Sequence, residues 1–182
     1  MQTMRFVLAG VLCLVSAVLS AENEKVHDLT NANSGAGFVK RIATVDEFES
    51  DVLNNQDVWL VVFTAMSEDE IKLRGVNREN CQKVEDSMID IAITMNAHGV
   101  QVGLADVDDI SALASEFNVR KRMLPMAMLF KTRVRDGDAI KDLANTEITA
   151  LEKTVLEALE ENPRGSDGHP QKIMLAVGGG EL

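Results

Sequence analysis

VQVGLADVDDISALASEFNVRKRMLPMAMLFK, residues 100–131, decides the fold. Its first eight residues are rich in valine and read as a strand, 100–107. Ile110, Leu113, Ala114 and Phe117 then fall at three- and four-residue steps, the spacing of one helical face. Asp108, Asp109 or Ser111 can cap that short helix. Pro125 stops the chain from continuing as helix and opens a second strand, 126–131, MAMLFK. Strand, helix, proline and strand in this order make a βαβ-type unit, and its neighbours in sequence should extend the same sheet.

Upstream, residues 58–63, VWLVVF, form a continuous apolar run, the mark of a strand buried on both faces. Before it, Thr44-x-x-Glu47 is a capping box, with Val45, Phe48 and Val52 on one helical face up to Asn54-Asn55. Residues 38–42 suit a short edge strand. Between the apolar run and residue 100, Cys81, Val84, Met88, Ile91 and Met95 recur at helical steps, so a helix is expected from Asn80 to a stop at His98-Gly99. Residues 67–78 have no clear period and read as a solvated loop. Downstream, Asp136-Gly137 signals a tight turn that makes an antiparallel hairpin of the strands around it. A last helix is expected over 146–162, with Ile148, Leu151, Val155, Leu156 and Leu159 on its apolar stripe and Pro163 as its stop. The predicted order is β-α-β-α-β-α-β-β-α: an α/β domain with a mixed central sheet flanked by helices.

The ends read differently. Residues 1–20 carry Arg5 and then an apolar run from Phe6 to Val18, followed by small residues around Ser20 and Ala21. That is the pattern of a cleaved secretory signal peptide, too short to span a bilayer comfortably. Residues 21–37 are polar and end in glycines, a linker. The expected domain covers 38–163, and 164–182 reads as a flexible C-terminal tail. No further apolar run is long enough to cross a membrane. Cleavage would take the net charge from -11 to -12, since Arg5 is the one charged residue removed. So acidic a chain is a poor partner for nucleic acid or anionic lipid. Cleavage would also remove Cys13, leaving Cys81 as the single thiol in a compartment where disulfides persist. His27, His98 and His169 are scattered, and Asp106, Asp108 and Asp109 lack the spacing of a calcium loop. No metal and no cofactor is expected.

The order of elements, together with WLVVFTA (59–65), GLADVD (103–108) and RMLP followed by MAMLF (122–130), resembles the thioredoxin superfamily. The nearest likeness is to single domains of the protein disulfide isomerase group, over residues 38–162. The resemblance implies that Pro125 is cis, that its loop pairs with substrate backbone, and that a C-x-x-C opens the helix after residue 63. Counting straight on from Phe63 puts Glu68-Asp69-Glu70-Ile71 there. Counting back from Asp108 puts Arg78-Glu79-Asn80-Cys81 there, with an insertion of which Ser67–Gly75 is the candidate. The second is preferred because the periodic helix begins at Asn80. Arg78 then stands where the family has its attacking cysteine, and Cys81 where it has the resolving one. Val62 stands where the family has a buried acid that relays protons.

Disulfide exchange needs an exposed thiolate to attack and a second thiol to resolve the mixed disulfide. One cysteine on a buried stripe cannot complete that cycle. Cys81 is weighed as a buried small hydrophobe, preferred, against a reactive monothiol with Arg78 and Lys83 nearby. Met66, Met123, Leu124 and Pro125 are the candidate polypeptide-binding surface, since methionine adapts to varied apolar partners. Met126 and Met128 alternate onto one strand face and are assigned to the core. The expectation is a redox-impaired, thioredoxin-like protein of the endoplasmic reticulum lumen or the secreted space. It would bind unfolded or secretory client polypeptides as a chaperone-like helper or scaffold. The alternative is a monothiol oxidoreductase acting through Cys81, and a weaker one is a structural partner in a larger assembly.

Overall fold

The computed structural model describes residues 39–65, 74–140 and 142–174. The chain divides into compact units Met1–Ala36 and Gly37–Leu182, and every described residue lies in the second. The segments read as signal peptide and linker, 1–37, lie outside the described residues, as does Met66.

Five strands form one sheet: β1 (Lys40–Ile42), β2 (Val58–Thr64), β3 (Val100–Asp106), β4 (Met126–Phe130) and β5 (Asp138–Ile140). Their spatial order is β1-β3-β2-β4-β5. β1, β3 and β2 run parallel, β4 is antiparallel to β2, and β5 is antiparallel to β4. Helix α1 starts at Val45–Glu47 and widens into a π-helical turn, Phe48–Leu53; α2 is Arg78–Ala97, α3 is Ser111–Glu116 and α4 is Ile148–Ala158. This is the mixed, helix-flanked sheet that the sequence predicts.

Alternation along β2 explains its unbroken apolar run. Trp59, Val61 and Phe63 face the layer of α1 and α3, where Phe48 meets Phe130 edge to face at 5.3 Å. Leu60 and Val62 face the layer of α2 and α4, against Val84, Met88, Ile91, Leu151 and Val155. Every residue of β2 is buried. Burial of a side chain of this size stabilises the fold by about 1.5–3 kcal/mol, which is why the central strand tolerates so little polarity. Local signals place the helices. Thr44 Oγ1 accepts from the Glu47 N–H at 3.2 Å, and the Glu47 carboxylate accepts from the Ala43 N–H at 2.9 Å. Gly99 takes φ +75, a conformation that ends α2 and that glycine adopts freely.

Four expectations need correction. The link between β4 and β5 is not a tight turn at Asp136-Gly137, because β5 begins only at Asp138. Arg135 reaches back to Glu116 and Glu49, at 2.8 Å each, and Thr132 bridges Ile173, so the connection bows outward. No side chain caps α3; instead Asp106 Oδ1 accepts from the Asp108 N–H at 2.8 Å just ahead of it. Helix α2 starts two residues earlier than expected, at Arg78, because Asn77 Oδ1 accepts from the Asn80 N–H.

The fourth correction concerns the tail. Residues 164–174 fold back across the end of the sheet as a strap, while 175–182 lie outside the described residues. The Lys172 N–H donates to Gln56 O at 2.8 Å, the Ile173 N–H to Lys131 O at 3.0 Å, and the Arg133 N–H to Ile173 O at 3.1 Å. Asn162 Nδ2 donates to Lys131 O and to Gln171 O. The His169 imidazole lies against Gly99, where a Cβ would come within 2.0 Å of Nδ1. Backbone pairing, not an apolar stripe, holds the strap, so hydrophobic periodicity could not show it. Among the described residues, no helix is long and apolar enough to cross a membrane.

Candidate functional site

The chemistry-bearing residues meet at the end of the sheet away from the strap. There the parallel strands β2 and β3 finish side by side, with Thr64 paired to Asp106. The antiparallel strand β4 begins at the same place. Phe63 pairs with Met126, which sets Leu124–Pro125 beside the exit of β2. Helix α2 starts over this point. Its first residue, Arg78, is exposed, and Cys81, one turn on, packs with Ala65 and Leu124 in one buried cluster.

Cys81 is 3% exposed. Burial pushes its thiol up, a backbone hydrogen bond with Ala65 opposes this, and the nearby Glu85 and Asp106 carboxylates add to the rise. The thiolate is thus disfavoured despite its place near a helix N-terminus. Dehydration and two acids outweigh the partial positive charge of the helix end.

Glu85, one turn beyond Cys81, completes the group. Its carboxyl is raised above the usual carboxylate range, chiefly by burial, with Asp86 and Asp106 adding and the Thr64 hydroxyl and Arg41 opposing. Sequence reasoning did not single out Glu85, Thr64 or Asp106 as a group. The four-residue step from Cys81 to Glu85 was a usable signal, but Thr64 and Asp106 join it only through the register of β2 and β3. Val62 is fully buried on the α2 and α4 side.

The structure divides the predicted surface residues. The Leu124–Pro125 peptide is cis. Met123 ends a 3-10 turn, Lys121–Met123, and is 41% exposed. Leu124 does not share that surface. Its side chain is buried against Ala65 and Cys81, since extended backbone on either side of it turns successive side chains to opposite faces. Pro125 is buried next to it in the chain. Met126 and Met128 lie in the core. Among the described residues, no group of three or more His, Cys, Asp or Glu side chains could hold a metal ion. His98 is instead paired with Glu152 at 2.6 Å.

No family model matches the sequence, and no curated protein matches it significantly. Solved structures do match in three dimensions. Thioredoxin from Trypanosoma brucei brucei superposes with a TM-score of 0.52 at 17% identity, covering 71% of this chain and 99% of that one. A mutant thioredoxin from Halobacterium salinarum NRC-1 gives 0.50 at 22% identity, covering 71% and 100%. Malassezia sympodialis thioredoxin gives 0.50 at 20% identity, covering 66% and 90%.

This chain has the thioredoxin fold. Nearly the whole of each of those thioredoxins fits within it, and the strap lies beyond the elements the resemblance covered. With Cys13 and Cys81 as its two cysteines, this thioredoxin-fold chain contains no C-x-x-C. Its α2 opens on Arg78, the residue that counting back from Asp108 put in first place.

Proposed function

We propose that this thioredoxin-fold domain binds extended polypeptide segments at the Met123–Pro125 end of its sheet and does not cycle disulfides. One observation carries the reading. Where exchange needs an outward thiol at the head of α2, the chain presents the exposed guanidinium of Arg78, and Cys81 lies buried with its thiol pushed up. The exposed thioether of Met123, close to Pro125, is the adaptable apolar contact left at that end.

On this reading the protein is a descendant of a disulfide isomerase-like domain that has kept its binding face and lost its chemistry. It serves client polypeptides in the secretory pathway as a folding helper or scaffold, in the endoplasmic reticulum lumen or outside the cell. Residues 1–20 address it there. Expression of the full chain in secreting cells, followed by N-terminal sequencing, should give a mature start near Ala21. An unprocessed Met1 would remove the compartment from the proposal.

The decisive assay is insulin reduction beside suppression of aggregation of a reduced, unfolded client. Expected are no insulin turnover, aggregation suppression that survives Cys81→Ser, and weaker suppression in Met123→Ala. Insulin turnover that Cys81→Ser abolishes would overturn the reading in favour of monothiol exchange.

A further inference from the structure

The end of the sheet that carries Met123 is unusual in charge for a chain of net charge -11. Arg74, Arg78 and Arg122 are all exposed there, and none of them has an ion-pair partner among the described residues. The acids around them are mostly engaged. Glu79 is held by Lys83 at 2.8 Å, and Asp108 by Lys121 at 2.7 Å. Asp106 is 6% exposed and Glu85 is half-buried; Asp109 is exposed.

The strand register brings two of these arginines to one place. Pro125 follows Arg122 by three residues and lies beside Ala65 through the Phe63–Met126 pair. Cys81 follows Arg78 by one helical turn and shares a buried cluster with Ala65 and Leu124. Arg78 and Arg122 therefore stand on the two sides of the Ala65–Pro125 seam, with exposed Met123 next to the second.

We propose that the surface bounded by Arg78, Arg122 and Met123 takes an extended peptide segment in which acidic residues flank a large apolar one. The inference rests on the peptide-binding reading above and adds the chemistry of the ligand. Guanidinium groups offer forked donors that match carboxylates, and they lose less hydration than ammonium groups on pairing. Unlike charges also steer an acidic segment to this end of a molecule that repels it elsewhere. Nucleic acid, the other polyanion, meets the same repulsion over a far larger area.

Three labelled peptides of one length, built on Glu-Glu-Leu-Glu-Glu, Ser-Ser-Leu-Ser-Ser and Lys-Lys-Leu-Lys-Lys, test this by anisotropy against the purified chain. The acidic peptide should bind about tenfold tighter than the neutral one, as two exposed ion pairs allow. The advantage should fade with added salt. R78E/R122E should reverse the order of the acidic and basic peptides; both positions are exposed, so its thermal midpoint should stay near that of the parent. Equal binding of all three would overturn the charge preference and leave the peptide-binding reading standing. Binding of none would overturn both. Binding of the acidic peptide that appears only after neutralising Glu68, Asp69 and Glu70 would also overturn it, because the arginines would then be satisfied within the chain. So would a chain that sediments as a dimer and loses that state in R78E/R122E, since a second copy would be the occupant.

Discussion

Glu85 shows how a single side chain can strain a fold that its neighbours need. Burial raises its carboxyl, so the folded chain holds that proton more tightly than the unfolded chain does. Stability then falls as pH climbs from the ordinary carboxylate value through the raised one, and the charged form is penalised above it. Glu85→Gln should raise the thermal midpoint at pH 7 by roughly 2 °C, since the group is only half-buried. The difference should vanish below about pH 4, where the glutamate is itself neutral. A constant gap at all pH values would show that the effect is packing and not charge. Cys81 was legible from sequence at this scale because burial follows helical spacing, and its stripe predicted it. Leu124 was not legible, because a residue beside a proline in a loop has no period from which to read which way it points.

At the scale of the element, the strap was the largest surprise. Asn162 and Lys172 are polar residues that sequence reasoning would leave in water, yet both are buried. Lys172 Nζ donates to the carbonyls of Val52 and Asn55, where α1 ends. Its pKa is lowered to about 8, first by burial, which Asp57 opposes and Arg133 reinforces. The folded chain therefore holds this proton less tightly than the unfolded chain, so stability should rise between about pH 8 and the ordinary lysine value of 10.5. Lys172→Met should abolish that rise. At pH 7 it should lower the unfolding free energy by about 1–3 kcal/mol, because two carbonyls lose their donor inside the protein. Urea titrations of both proteins at several pH values measure both effects. A variant as stable as the parent at pH 7 would mean that the strap is held by its backbone alone. The helices and the long strands were legible because each repeats a pattern, period two or three and four, over many residues. The strap repeats nothing.

For the whole molecule, the order of elements was enough to place the sheet. β2 could only be central, since its apolar run needs a layer on each face, and the two layers of core side chains meet it as that argument requires. The resulting fold matches thioredoxins at 17–22% identity, so what the sequences share is chiefly the pattern of burial that a five-stranded, two-layered sheet imposes. The end of the sheet where chemistry gathers was less legible. Thr64 and Asp106 are far apart in the chain, and Arg78 and Arg122 come together only once strand register is known.

The strap also gives the molecule a direction. Ile173 is pinned beside Thr132, past the finish of β4, whereas Pro125 stands at that strand's start. A domain grafted to a bead or a fusion partner just after Met174 would stand like a lamp on its post, its arginine rim turned outward and open to whatever drifts by. One grafted through the Arg74–Gly75 turn would be hung face to the wall.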